Sequence, residues 1–227
     1  MKSICRYCFS ILLLMVISAI NLNAQTPNEN TPVPTSADTS SWYNGLVVGT
    51  DLLNPIAGAM GKDYSSYEVS VEYGLKRKYF PIAEVGMSKS DNTSDFGPVY
   101  HSPLAPYGRV GINYAFSQSA KSFAYIGTRV GFSNFSYDVS NMTITSNYWK
   151  ESLTTSLNRE KSNAIWTEFI GGLRVSITNH ILMGWNVRAK FINHVKQTLY
   201  GSPAYIPGYG SNKSKTYGIQ FSIYYKF

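Results

Sequence analysis

The residues that could do chemistry in this 227-residue chain are few and regularly placed. The acids are Asp51, Glu68, Glu72, Glu84 and Glu168, and the bases are Arg109, Arg129, Arg174, Arg188 and Lys190. Carboxylates such as Glu72, Glu84 and Glu168 could act as general acids or nucleophiles if a partner stood beside them. The histidines His101, His180 and His194 are the candidate bases, yet spacing brings none of them a serine and an acid. His101 and Ser102 are adjacent, which says little about geometry. No Gly-rich phosphate loop, metal-ligand spacing or cofactor motif accompanies them, so no cofactor is expected. The two signs occur in matching number, and Arg dominates the bases. That suits mutual pairing in a water-poor interior, where charge is tolerated only when compensated.

Every one of the ten charged residues falls on the same register of an alternating pattern. Eight segments alternate with period two: 44–53, 67–76, 79–89, 107–116, 123–135, 165–178, 180–195 and 216–227. In each, one set of alternate residues is apolar and the other is Gly, polar or charged, as β-strands with two unlike faces require. Leu46, Val48 and Leu52 stand opposite Gly45, Gly49 and Asp51. Tyr217, Ile219, Phe221 and Ile223 stand opposite Gly218, Gln220 and Ser222. The connections after the second, fourth and sixth segments are short. Those after the others run roughly ten to thirty residues, and they hold Pro55, Pro98, Pro103, Pro106, Pro203 and Pro207. Sorting loop length by parity predicts an all-β, eight-stranded, antiparallel up-and-down transmembrane barrel with short periplasmic turns and long extracellular loops.

Volume decides which face looks inward. An eight-stranded barrel is only wide enough to be filled by side chains. The bulky apolar set would overfill it, whereas glycines and short polar residues fit. The apolar set is therefore expected to face lipid, and the ten charged residues to form an ion-pair network that plugs the lumen. Aromatic residues at the strand ends, among them Tyr79, Phe80, Phe116, Phe123, Tyr225 and Phe227, are expected to ring the membrane interface.

The amino-terminal end and the composition agree with export. Lys2 and Arg6 precede an apolar core over 9–20, followed by Ala24, so residues 1–24 are expected to be a cleaved signal peptide. Residues 25–41, polar and rich in Pro and Thr, are expected to be a disordered periplasmic leader, with the barrel over 42–227. Cys5 and Cys8, the chain's two cysteines, leave with the signal and exclude a disulfide framework. The formal charge of +7 is spread thinly along the chain, apart from Lys76, Arg77 and Lys78 in a tight turn. No nucleic-acid partner is expected.

The last eleven residues, with alternating apolar positions and a terminal Phe227, resemble the carboxy-terminal strand by which outer-membrane barrels are recognised for insertion. The chain as a whole is similar to an uncharacterised outer-membrane barrel family of Bacteroidota. The stretches that carry the resemblance are 42–51 (WYNGLVVGTD), 78–86 (KYFPIAEVG), 107–114 (YGRVGINY), 183–188 (MGWNVR) and 205–210 (YIPGYG). The resemblance implies the bacterial outer membrane and the barrel fold, and no activity. The expected partners are outer-membrane lipid, the insertion machinery, and an extracellular ligand or membrane protein met by the loops 136–163 and 196–215. In the last loop Tyr200, Tyr205, Pro207 and Tyr209 are the candidate recognition residues, because tyrosine offers a large contact surface at low entropic cost. A lid over the barrel mouth is the other role those tyrosines could have. A non-enzymatic barrel is the favoured reading. The alternative is a lipid-modifying enzyme, a hydrolase or acyltransferase acting on lipopolysaccharide.

Overall fold

The computed structural model describes residues 45–60, 64–75, 78–92, 99–118, 122–145, 152–198 and 202–227. The expected signal peptide, the leader and Tyr200 lie outside them. Eight strands close a barrel: β1 (Leu46–Asp51), β2 (Tyr64–Tyr73), β3 (Tyr79–Asn92), β4 (Val99–Gln118), β5 (Ser122–Thr145), β6 (Ser152–Ser176), β7 (Ile181–Val195) and β10 (Lys215–Lys226). Every neighbouring pair is antiparallel, and β1 pairs with β10 to complete the ring. A short helix, α1 (Leu53–Ala59), follows β1, and a two-stranded hairpin of β8 (Tyr205–Ile206) and β9 (Gly210–Ser211) sits between β7 and β10. No helix among the described residues is long and apolar enough to cross a membrane.

The alternation in the sequence becomes the two faces of the wall. On β3, Val85 is 64% exposed and its neighbour Glu84 only 2%. Val69, Val71 and Tyr73 on β2, Val110 and Ile112 on β4, and Phe169 and Leu173 on β6 are likewise exposed, while Glu68, Glu72, Arg109, Glu168 and Arg174 are buried. An apolar surface that encircles a molecule far exceeds the patches that water-soluble monomers expose.

Three features depart from the reading of the sequence. First, 136–145 and 152–163 are not a loop but the continuation of β5 and β6, paired from Ser136↔Lys161 to Thr145↔Ser152. Likewise β3 and β4 stay paired out to Asn92↔Tyr100. Residues 136–163 are rich in Ser, Thr and Asn and read as loop by composition, although Tyr137 and Ser162 are buried at the base of the extension. Second, α1 occupies the first long connection. Third, Phe80 and Phe123 face inward, 3% and 6% exposed, and stack with ring centres 5.9 Å apart. They plug the lumen instead of ringing the wall.

Candidate functional site: the charged lumen

The lumen is stacked in layers. At the end near the short turns, Phe80, Phe123, Tyr125, Ile170, Leu182 and Tyr224 form an apolar floor. Above it, Arg174 grips Glu72 with both arms: Nη1 donates to Oε1 at 2.6 Å and Nη2 to Oε2 at 2.8 Å. Such a fork is the strongest geometry available to an ion pair. Three rings enclose the guanidinium, with Tyr224 at 4.1 Å, Tyr125 at 4.9 Å and Phe123 at 5.5 Å from its carbon. Asn113 joins this pair to the next layer. Its Nδ2 donates to Glu72 at 2.9 Å, and its Oδ1 accepts from Arg129 at 2.8 Å.

The middle layer is a shared network centred on Glu84. Its carboxylate accepts from Arg109 at 2.9 Å, Arg129 at 3.3 Å and Arg188 at 2.9 Å. Glu68 takes Arg109 at 2.7 Å, Tyr107 Oη at 2.8 Å and Gln220 Nε2 at 2.9 Å. Glu168 lies 3.0 Å from Arg109 and 3.2 Å from Arg188, and accepts from Trp166 Nε1 at 2.7 Å. Gly131 makes room for that indole: a Cβ there would fall 2.2 Å from the Trp166 ring. Asn113 and Gln220 stand on the lumen register of the sequence, but nothing in one dimension marks them as bridges.

Asp51 and Lys190 do not join the network as expected. The Asp51 carboxylate accepts from the backbone N–H groups of Leu53 (3.2 Å) and Asn54 (3.3 Å), and from Asn54 Nδ2 (2.6 Å). It therefore ties the end of β1 to the start of α1, because an acid at a strand end beside free N–H groups is satisfied locally. Lys190 makes no ion pair among the described residues. Its Nζ donates to the carbonyls of Gly208 (2.8 Å) and Tyr209 (3.2 Å).

Those carbonyls belong to the cap of the barrel, the β8–β9 hairpin. Tyr205, Ile206, Pro207 and Tyr209 are buried there against Tyr100, Tyr107, Phe135, Tyr137 and Trp166. Tyr205 Oη donates to Ser88 Oγ at 3.0 Å, and Arg109 Nη2 donates to the Gly208 carbonyl at 2.9 Å. Gly208, at φ +79°, turns the chain where a side chain would strike Tyr107. Burial pushes the Tyr205 phenol well above its ordinary value. Tyr205, Pro207 and Tyr209 thus face into the mouth, away from the surface an external partner meets. A tyrosine-rich loop buries itself when a cavity of matching size lies beneath it.

The candidate catalytic groups are apart. His101 pairs with Asp91 across the β3–β4 ladder at the exposed rim. Ser102 is fully buried on the opposite face of the strand, so it is turned away from His101. His180, in the turn before β7, stacks on Tyr225 at the far end of the barrel. Among the described residues, no group of three or more His, Cys, Asp or Glu is placed to hold a metal ion.

A closed eight-stranded antiparallel barrel, apolar outside and charged within, has the architecture of the small outer-membrane β-barrel proteins. The model of a family described as a domain of unknown function (DUF6048) matches residues 4–227, and the chain belongs to that family. Among solved structures it is similar in chain course to the N-terminal β-barrel domain of Pseudomonas aeruginosa OprF (13% identity, 82% of this chain and 98% of that chain, TM-score 0.45). It is similar also to Neisserial surface protein A (12%, 82% and 96%, 0.46) and to Ail of Yersinia pestis (10%, 81% and 99%, 0.44). No curated protein matches.

Proposed function

We propose that this chain is a non-conducting, non-enzymatic barrel embedded in the outer membrane of a Gram-negative bacterium, of the Bacteroidota kind its motifs resemble. It would be exported by its first 24 residues and recognised for insertion through β10. One observation carries the reading: the wall is inverted, with apolar side chains outside and four Glu–Arg-bonded carboxylates (Glu68, Glu72, Glu84 and Glu168) inside. Only a closed barrel lets strands satisfy every backbone group in lipid. With the lumen occupied by these side chains, the parts available to soluble partners are the rim and the β5–β6 ribbon that extends past the rest of the wall. The test is insertion and conductance. Refolded protein should migrate differently on gels before and after boiling, resist carbonate extraction from membranes, and show no stable single-channel current in planar bilayers. Release by carbonate would remove the membrane reading, and large steady currents would remove the plug.

A further inference from the structure

The barrel wall has a notch. β1 ends at Asp51↔Ser222 on one side and Thr50↔Val69 on the other, yet both its neighbours continue. β10 runs on to Lys215 and β2 to Tyr64. The last rung is the Leu52 N–H to the Phe221 carbonyl, 2.8 Å, and among the described residues no strand pairs with β10 above it on that side. Beyond that rung the chain turns into α1, which packs along β2 and leaves Leu53, Ile56 and the following Met60 exposed.

The level of this notch can be placed. Tyr225 and Phe227, exposed beside the short turns, mark the lower interface. At the usual tilt a strand climbs about 2.5 Å per residue along the barrel axis. Phe221 then stands about 12 Å up and Lys215 about 27 Å up, in a lipid band about 25 Å tall. The notch therefore opens in the outer-leaflet half of the wall, where unpaired strand edges must meet polar groups.

Behind it lies a cavity of about 330 Å³ that reaches from the outer wall into the lumen. Tyr217 and Ile219, both exposed outward, line one side, and Glu68, Arg109, Arg188 and Lys190 line the other. Its charges do not cancel. Arg109, Arg129 and Arg188 are matched by Glu68, Glu84 and Glu168, and the Asp51 carboxylate at the sill, though charged, is turned to Leu53 and Asn54 and makes no ion pair with Lys190. Lys190, which among the described residues is held by backbone carbonyls and by no carboxylate, is the surplus cation. Beside the notch, on the outer wall, an apolar groove of about 760 Å³ runs between Pro55, Tyr67, Val85, Met87 and Phe132.

We propose that the notch is a lateral binding site for one outer-leaflet lipid with a phosphate headgroup. The headgroup enters the cavity to meet Lys190 and the open strand edges, and the acyl chains lie along Tyr217, Ile219 and the neighbouring groove. This rests on the membrane reading above.

The test is native mass spectrometry of the full mature protein released from bilayers of phosphatidylcholine containing about a tenth phosphatidylglycerol. The site predicts one phosphatidylglycerol retained per chain, with retention lowered at least about fivefold in Lys190→Gln and kept in Lys190→Arg. Ile219→Trp, which narrows the entrance, should also lose the lipid, while Leu173→Trp on the far wall should not. Four results would overturn the site: no retained lipid, equal retention of phosphatidylcholine, equal loss in both Lys190 variants, or displacement by inorganic phosphate. Gel heat-modifiability is read on the same samples. A barrel that inserts and retains no lipid sinks this site alone, and a chain that does not insert sinks the membrane reading.

Discussion

The two ends of the lumen are closed in different ways. At the turn end, the seal is built from the wall itself: Phe80, Phe123, Tyr125 and Tyr224 project from paired strands and clasp a single Glu72–Arg174 fork. At the loop end, the seal is a separate hairpin, seated on Tyr107 and Trp166 and tethered by Ser88, Arg109 and Lys190. Among the described residues the turn-end pair has no second cation to share its load. In the network under the hairpin, each glutamate has more than one partner. A closed barrel can thus be stiff at one end and separable at the other.

This contrast is most directly broken by removing one arginine from each region. Arg174→Ala leaves Glu72 charged among aromatic rings, and should cost about 3–5 kcal/mol in urea unfolding from detergent micelles. Arg129→Ala leaves Glu84 with Arg109 and Arg188, and should cost about 1–2 kcal/mol. Equal losses would show that the shared network gives no redundancy.

A smaller effect is expected from exchanging residues 205–210 for a flexible Gly/Ser segment. The midpoint of heat modification should fall by a few degrees, as for a loss of about 1–2 kcal/mol. Conductance should stay near zero, because the turn-end seal is independent of the hairpin. Stable currents from this variant alone would mean that the floor does not close the pore.

Alkaline pH sharpens the same comparison. The Tyr205 phenol has a folded pKa raised above its ordinary value of 10 by burial. Its contribution to hairpin docking is complete below pH 10 and is lost as pH rises through the folded value. Proteolysis within 205–213 should accelerate above about pH 10, with the barrel intact on gels. Tyr205→Phe should remove the Tyr205 step. Protection that persists to the pH at which the barrel unfolds would show that the hairpin is as fixed as the floor.

The smallest effect belongs to Asp51→Asn. The amide keeps one acceptor for the N–H groups of Leu53 and Asn54, so the loss should stay under about 1 kcal/mol by urea unfolding. A cost matching Arg174→Ala would place Asp51 in the ion-pair network after all.

The eight strands were legible because lipid outside and a crowded lumen inside force opposite demands on alternate residues. Val85 and Glu84 obey that rule, and so do Ile219 and Gln220. The upper halves of β5 and β6 are rich in Ser, Thr and Asn and so read as loop, although Tyr137 and Ser162 there are buried. The rule lapses where the lumen turns apolar, so Phe80 and Phe123 read as interface aromatics. The charged residues were legible as a set, but their partners were not. Glu72 and Arg174 are 102 residues apart, and Glu84 and Arg188 are 104.

The sequence alone therefore determined the strand count, the inside-out sense of the wall and the inventory of buried charge, because each follows from period-two sterics and solvation of single residues. Only the tertiary structure decided how those charges divide into a lone fork and a shared network, that the tyrosine loop folds inward, and that β1 stops short to leave a notch. Those outcomes depend on closure of the ring. Closure sets which distant strands face one another across the lumen, and so which charge finds which partner.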